Sequence, residues 1–285
     1  MKTFKIGGVH PNDSKISKDC AIEDFPVLEK AYLSMAQHLG APAEPIVQKG
    51  DKVKVGQLIA KPTGFVSANI HSSVSGTVAA VEPYADLAGN PVMHVIIDVE
   101  GDEWEESIDR TPDVVRDITL SKEEIIKRIQ DCGIVGLGGA SFPTHIKLTP
   151  PPGKVAEYLL INGAECEPFL TSDYRLMIEQ PEQVLIGAKI MMKALDVKKC
   201  RFGVEENKPE AIAKLKSFSA QYPEIEIVPL KKKYPQGGEK QLIEALTGRR
   251  VPSMGLPIDA GAVVQNCGTA LAVYEAVQKN KPLFE

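Results

Sequence analysis

No excess of positive charge is present: 33 lysines and arginines stand against 38 aspartates and glutamates, for a net charge of −5. That balance gives no support for a nucleic-acid polyanion as partner. No CxxC pair occurs among the five cysteines, Cys20, Cys132, Cys166, Cys200 and Cys267. An odd, scattered set argues against a disulfide framework and for a reducing compartment. No local Cys/His group has zinc or iron–sulfur spacing, so no metal site is expected in these residues. No stretch approaches the roughly 20 apolar residues needed to span a bilayer. The start "MKTFKIGGVHPNDSK" lacks the apolar run of a signal peptide. A soluble chain is expected, able to dock on membrane partners.

What is there is ordinary in bulk, with 43% hydrophobic and 25% charged residues. At 285 residues the chain buries a substantial core and is long for one domain, so two are expected. Residues 1–40 carry one helix in "IEDFPVLEKAYLSMAQHLG", ended by Gly40. Residues 41–105 are short β-type runs broken by glycine, among them "EPIVQKGDKVKVGQLIA", "ANIHSSVSGTVAAVE" and "PVMHVIIDVE". Residues 106–120 are acidic and read as a linker. From 121 to 285 strands alternate with helices: after the Ser121/Glu124 capping pattern come "AEYLLIN", "PEQVLIGAKIMMKAL", "CRFGVEE", "PEAIAKLKSFSAQY", "EIEIVPL", "EKQLIEALTG", "GAVVQN" and "TALAVYEAVQK". The fold class is α/β, a Rossmann-like parallel sheet preceded by a small all-β unit.

The β unit resembles the biotinyl/lipoyl fold, a barrel-sandwich hybrid, through "V-x-x-GD-x-V-x-x-G-x-L" and the return strand "SSVSGTVAAV". That fold carries its cofactor on a lysine at a hairpin tip. Here the tip falls near Gly64 and Phe65, and Lys61 lacks the usual methionine neighbour. A structural or docking module is expected, with no carrier lysine.

Four loops hold unusual chemistry. In "GLGGASFPTHIKL", Gly136, Gly138 and Gly139 precede Phe142-Pro143 and Lys147. The run reads equally as a tight turn or as bare backbone that admits a planar or phosphorylated ligand, with a lysine to meet charge. It fits neither a Walker A nor a GxGxxG pattern. In "NGAECEP", Asn162, Glu165 and Glu167 follow an apolar strand, either solvated or accepting hydrogen bonds from a ribose, a nicotinamide amide or a flavin. In "YPQGGEKQ", Tyr234, Gly238 and Glu239 stand at a helix start, which suits a capped turn or an anion site. In "VVQNCGT", Gln265, Asn266 and Thr269 mark another strand-to-helix junction. Four such loops on one sheet edge would make a ligand cleft. His145 is the only histidine among them, and no Ser/His/Asp constellation accompanies it. The cleft therefore suits chemistry performed by a cofactor that the protein positions.

Those four motifs in that order, with the opening "GGVHPNDSK", closely resemble the C subunit of the Rnf ion-translocating electron transport complex over nearly the whole chain. More distantly they resemble the NADH-binding flavoprotein subunit of respiratory complex I. The resemblance implies a peripheral subunit of a membrane-bound ferredoxin:NAD+ oxidoreductase on the cytoplasmic side of the bacterial inner membrane. Its cofactors would be FMN and NAD(H), and its partners other Rnf subunits and ferredoxin. It implies that Gly136, Gly138, Gly139 and Lys147 cradle FMN and the nucleotide, and that Asn162 and Glu165 contact the flavin. Glu167 and Glu239 would stand on the nicotinamide side, and Tyr234 and Gly238 would bound the site. Gln265, Asn266 and Thr269 would hold the phosphate or ribityl chain, and no side chain is expected to act catalytically. Leu137, Ala164 and Ser141 depart from the complex I pattern of arginine, aspartate and glycine. The family continues into a region with two CxxCxxCxxxCP runs for two 4Fe-4S clusters, absent from these 285 residues; a shortened chain is the expectation. A cobalamin reductase-like flavoprotein and a non-catalytic assembly module are the alternatives; the β unit favours the Rnf resemblance over the cobalamin reductase, and flavin titration separates the assembly module.

Overall fold

A computed structural model describes residues 1–86 and 88–284. It divides the chain into two compact units. One comprises Met1–Glu23, Ile118–Glu123 and Lys147–Tyr274; the other comprises Asp24–Asp117, Glu124–Ile146 and the residues from Glu275 on. Segments 1–23 and 124–146 thus group across the boundaries expected from composition.

The second unit contains the antiparallel strands β1 (Lys30–Ser34), β2 (Glu44–Pro45), β3 (Lys52–Val53), β4 (Leu58–Lys61), β5 (Ile70–His71), β6 (Gly76–Ala85) and β7 (Pro91–Val99). They form one sheet of order β1-β7-β6-β3 and another of order β2-β4-β5. Leu33, Met35, Val53, Ile59, Val78, Val95 and Ile97 make a shared core, as a small sandwich requires. Phe65 is exposed in the connection from β4 to β5, where the carrier lysine is absent.

The helix expected before Gly40 does not form. Lys30–Ser34 is a strand, paired with β7 from Lys30↔Asp98 to Ser34↔His94. Leu33 and Met35 are buried while Tyr32 is exposed, a period of two that serves a sheet face. Pairing with a long neighbouring strand outweighs the modest helix preference of "LEKAYLSM".

Most of α1 (Lys122–Asp131) and α2 (Thr144–Lys147) also belong to this unit. Ile125 and Ile129, one turn apart, are fully buried. At the end of α1, Gly133 N–H donates to Gln130 O and Ile134 N–H to Ile129 O, with Gly133 at φ +66°. This is a Schellman ending, which needs a residue tolerant of the left-handed region.

The first unit is the expected α/β layer. In chain order it holds β8 (Tyr158–Gly163), α3 (Ser172–Glu179), α4 (Pro181–Leu195), β9 (Cys200–Glu205), α5 (Pro209–Ser219), β10 (Ile225–Leu230), α6 (Glu239–Thr247) and β11 (Ala262–Asn266). The start of α7 (Cys267–Lys279) completes it. All pairings are parallel, in the order β10-β9-β8-β11. Leu159, Leu160 and Ile161 of β8 are wholly buried, as a strand covered on both faces demands. Proline at the first turn of α4 and of α5 sits where a missing N–H does no harm.

The chain runs from β8 outward through β9 to β10, then returns to place β11 on the other side of β8. The order therefore reverses between β8 and β11. Such a reversal is where open α/β sheets bind ligands, beyond the carboxyl ends of the strands.

Candidate functional site

Asn162, next to the end of β8, and Asn266, which ends β11, are register partners, so they flank this reversal. Asn162 Nδ2 donates to Gly237 O at 2.8 Å, and its Oδ1 accepts from Ala164 N–H at 3.1 Å. Cys166 Sγ accepts from Gly237 N–H at 3.2 Å. The loop after β8 is thereby sewn to the loop after β10. Asn266 Oδ1 accepts from Gly268 N–H at 2.7 Å and Thr269 N–H at 3.4 Å, capping the start of α7. Its Nδ2 donates to Asp173 Oδ2 at 2.7 Å.

Asp173 N–H in turn donates to Glu165 Oε1 at 2.8 Å. Glu165 sits at φ +48° and is 8% exposed, and its Oε2 has no partner among the described residues. Burial first and the Asp173 charge second push its pKa up to about 7, against the pull of Lys208 and Lys15. Burial raises the Asp173 pKa as well. The Lys208 ammonium, on a residue 3% exposed, donates to Ala164 O at 2.7 Å and lies 3.8 Å from Glu205 Oε2. Burial lowers the Lys208 pKa and raises that of Glu205. Glu205 accepts from Lys233 N–H at 3.2 Å, joining the loop after β10 to the same network.

Gln265 is 3% exposed, and its Nε2 has no partner among the described residues. Thr269 is fully buried in the first turn of α7. Gly238 caps α6, accepting Leu242 N–H at 2.8 Å. Glu239 follows it in the first turn, where a carboxylate suits the helix dipole. Lys147 reaches Glu239 Oε1 at 2.9 Å and Val264 O at 3.2 Å. Tyr234 hydrogen-bonds Glu167, whose charge raises the phenol pKa.

The residues expected at the site from Lys147 to Thr269 therefore all lie in the first unit, three of the four loops leaving the carboxyl edge of its sheet. The glycine loop departs from that expectation. It joins α1 to α2 and groups with the second unit, so it connects no strand of the sheet to a helix. Its own bonds explain this: Gly136 N–H donates to Phe142 O, Thr144 N–H to Ile134 O, and Leu39 N–H to Ser141 O. Gly139 has no heavy atom within 4 Å of an added Cβ among the described residues. His145 in α2 is half-buried, which lowers its imidazole pKa.

Sequence reasoning missed Asp173, Lys208 and Lys15, whose partners are remote in the chain. Asp173 lies on α3, too short a helix to declare a period. Among the described residues, no His/Cys/Asp/Glu cluster is arranged for a metal ion, and no helix is long and apolar enough to cross a membrane.

Residues 129–275 match the family model described as the Nuo51 FMN-binding domain, and residues 2–102 match the RnfC barrel sandwich hybrid domain. The chain is 47% identical to the C subunit of the proton-translocating ferredoxin:NAD(+) oxidoreductase complex of Clostridium ljungdahlii, over 100% of this chain and 62% of that protein. It is 44% identical to the C subunit of the Na(+)-translocating ferredoxin:NAD(+) oxidoreductase complex of Acetobacterium woodii, over 99% of this chain and 63% of that protein. To the C subunit of the ion-translocating oxidoreductase complex of Pseudomonas aeruginosa it is 42% identical, over 100% of this chain and 36% of that protein. The chain thus spans less than two thirds of the length of each of these relatives. Matched over more than half of its residues, the chain belongs to the Nuo51 FMN-binding domain family, in the branch that carries an RnfC barrel sandwich hybrid domain ahead of it.

Proposed function

We propose that this chain binds FMN and NAD(H) and exchanges hydride between them, as part of a larger protein within an ion-translocating ferredoxin:NAD+ oxidoreductase. The observation that carries the reading is a pair of buried, unpartnered polar atoms, Gln265 Nε2 and Glu165 Oε2, one from each strand-end region flanking the sheet reversal. A buried polar atom without a partner costs about 1–3 kcal/mol, and a polar ligand there offsets that cost. The residues present fit a flavin mononucleotide. Gln265 supplies a donor, Glu165 a donor or acceptor according to its proton, and the start of α7 offers the positive end of a helix dipole to a phosphate.

When bound, FMN supplies hydride exchange with the nicotinamide and conversion between two-electron and one-electron transfer. The protein binds and orients. Asn162 fixes the two loops that bound the ring, Asn266 and Thr269 face the phosphate end, and Lys147 meets charge. Glu167 and Glu239 hold the nicotinamide side, with Tyr234 and Gly238 as walls. Placing donor and acceptor in register supplies most of the rate advantage, with no covalent intermediate.

In a longer protein of this kind, residues beyond these 285 would hold two 4Fe-4S clusters, which would supply one-electron exchange with ferredoxin. The setting is the cytoplasmic face of the inner membrane, among the other subunits of the complex. The test is titration of the chain with FMN, followed by absorbance and fluorescence, then NADH with ferricyanide as acceptor. Saturable flavin binding and NADH-dependent reduction are expected, and Glu165→Gln should weaken flavin retention. Absence of both at saturating FMN would leave a non-catalytic assembly module.

A further inference from the structure

The opening motif "GGVHPNDSK" is untouched by the flavin reading, yet it lies against two of the loops that reading uses. Val9 and Tyr234 exchange backbone hydrogen bonds of 2.9 and 2.8 Å as an isolated antiparallel bridge. Phe169 N–H donates to Asp13 O at 2.9 Å. The Asp13 carboxylate accepts from Asn207 Nδ2 at 3.0 Å, which lowers its pKa. Ser17 Oγ meets Thr171 Oγ1 at 2.7 Å. Between these contacts the Lys15 ammonium donates to three backbone carbonyls: Glu165 O at 2.9 Å, Glu167 O at 2.8 Å and Leu170 O at 2.5 Å.

An ammonium has three protons, and three acceptors converge on this one. The three carbonyls belong to a loop that contains two residues at positive φ, Glu165 and Phe169. Such a loop gains little from regular backbone pairing, and external donors must hold its shape. Lys208 also donates to this loop, to Ala164 O at 2.7 Å and Glu165 O at 3.4 Å. Lys15, Glu165 and Lys208 all line one cavity of about 190 Å³.

We propose that residues 9–17 form a clasp that sets the two binding loops, with Lys15 as the positioning residue of the Glu165–Leu170 loop and Val9 as that of Tyr234. The consequence for ligand binding rests on the flavin reading; the clasp itself does not. Removing the Lys15 ammonium leaves three carbonyls to find other donors. The loop then samples conformations in which Glu165 and Glu167 lose their fixed backbone positions.

Hydrogen exchange of the full chain, without ligand, tests the clasp directly. In Lys15→Ala, amides of residues 163–171 should exchange about tenfold faster or more, while β9 keeps its protection. Lys15→Arg, which retains a multiple donor, should recover much of the loss. Unchanged exchange at 163–171 in a folded Lys15→Ala protein overturns the proposal. Should Lys15→Ala fail to fold, Val9→Pro carries the test: it deletes one bond of the bridge and should speed exchange at residues 233–236 alone. Unchanged exchange there overturns the proposal equally. With FMN added, Lys15→Ala should raise the flavin Kd and the KM for NADH more than it lowers kcat. A wild-type chain that binds no FMN would defeat the flavin reading, and the exchange data would still decide the clasp.

Discussion

Lys147 Nζ lies 2.9 Å from Glu239 Oε1, and the side chains are 32% and 40% exposed. Two residues expected at the ligand, Lys147 to cradle FMN and the nucleotide and Glu239 on the nicotinamide side, are paired with each other. At this exposure the pair contributes about 1 kcal/mol or less to stability. A charge-assisted bond to a ligand phosphate is stronger. Lys147→Ala should therefore leave the urea midpoint nearly unchanged and weaken FMN binding about tenfold or more. Glu239→Gln should leave FMN affinity equal or higher and raise the KM for NADH. Parallel losses of both ligands in both variants would contradict this division of roles.

Glu165 predicts a pH dependence of stability. Its carboxyl is raised from 4.5 to about 7, chiefly by burial. Between those values the unfolded chain releases a proton that the folded chain keeps. Stability attributable to this group is therefore full at acid pH, falls as pH rises from about 4.5 to about 7, and is level above. The change is about 3.5 kcal/mol at most, since one pKa unit corresponds to about 1.4 kcal/mol. Asp173 shifts in the same direction, so the slope in Glu165→Gln should shrink without vanishing. Urea midpoints of both proteins at pH 5 and pH 8 measure it. Identical slopes would show that Glu165 is not the titrating group.

What could be read in the sequence followed the range of the interactions. The strand–helix alternation from β8 to α7 was legible, except for the short α3, because most of the elements lie near a proline, glycine or asparagine and keep their own period. The loops after β8, β10 and β11 were legible for the same reason, being polar breaks at strand ends. The strand at Lys30–Ser34 was not legible, since "LEKAYLSM" suits a helix until β7 lies beside it. Lys208 and Lys15 were invisible because they act on backbone carbonyls 44 and 150 positions away. A lysine leaves no periodic mark for such a role. The glycine run was recognisable as bare backbone, but its grouping with the β unit depends on Leu39, which no local pattern connects to Ser141.

Asn69 and Gly133 meet where the loop before β5 touches the end of α1. Asn69 Nδ2 donates to Asp131 O at 2.9 Å and to Gln130 O at 3.4 Å, beyond the reach of the helix's own N–H groups. A Cβ on Gly133 would lie 2.4 Å from Asn69 O, a backbone atom. Asn69→Ala should cost about 1 kcal/mol, the loss of a hydrogen bond at a half-open site. Gly133→Ala should cost more, about 2 kcal/mol or above, because strain in the left-handed region adds to the clash. Since the obstructing atom is backbone, Asn69→Ala should not rescue Gly133→Ala. Chemical denaturation of the three variants measures this, and a double variant as stable as Asn69→Ala alone would refute the clash.

Gly139 and Gly187 contrast a glycine with open space around it and one packed against helix backbone. A Cβ on Gly187, in α4, would fall 1.8 Å from Ala270 O and 2.6 Å from Ala270 C in α7. Both atoms are helix backbone, so relief requires the two helices to part. Gly187→Ala should lose about 3 kcal/mol or more, or fail to fold. Gly139 is the opposite case: its φ lies outside the left-handed region, and an added Cβ meets no heavy atom within 4 Å among the described residues. Gly139→Ala should fold with a midpoint unchanged or raised, by about 0.4–1 kcal/mol, because the unfolded chain loses freedom. If the bare backbone is there for FMN or the nucleotide, that stable variant should bind them at least about tenfold more weakly, as overpacking against a fitted ligand costs about 1–3 kcal/mol. Flavin titration and the KM for NADH measure the loss. Wild-type affinity for both ligands in Gly139→Ala would mean that the glycine at this position serves the turn alone.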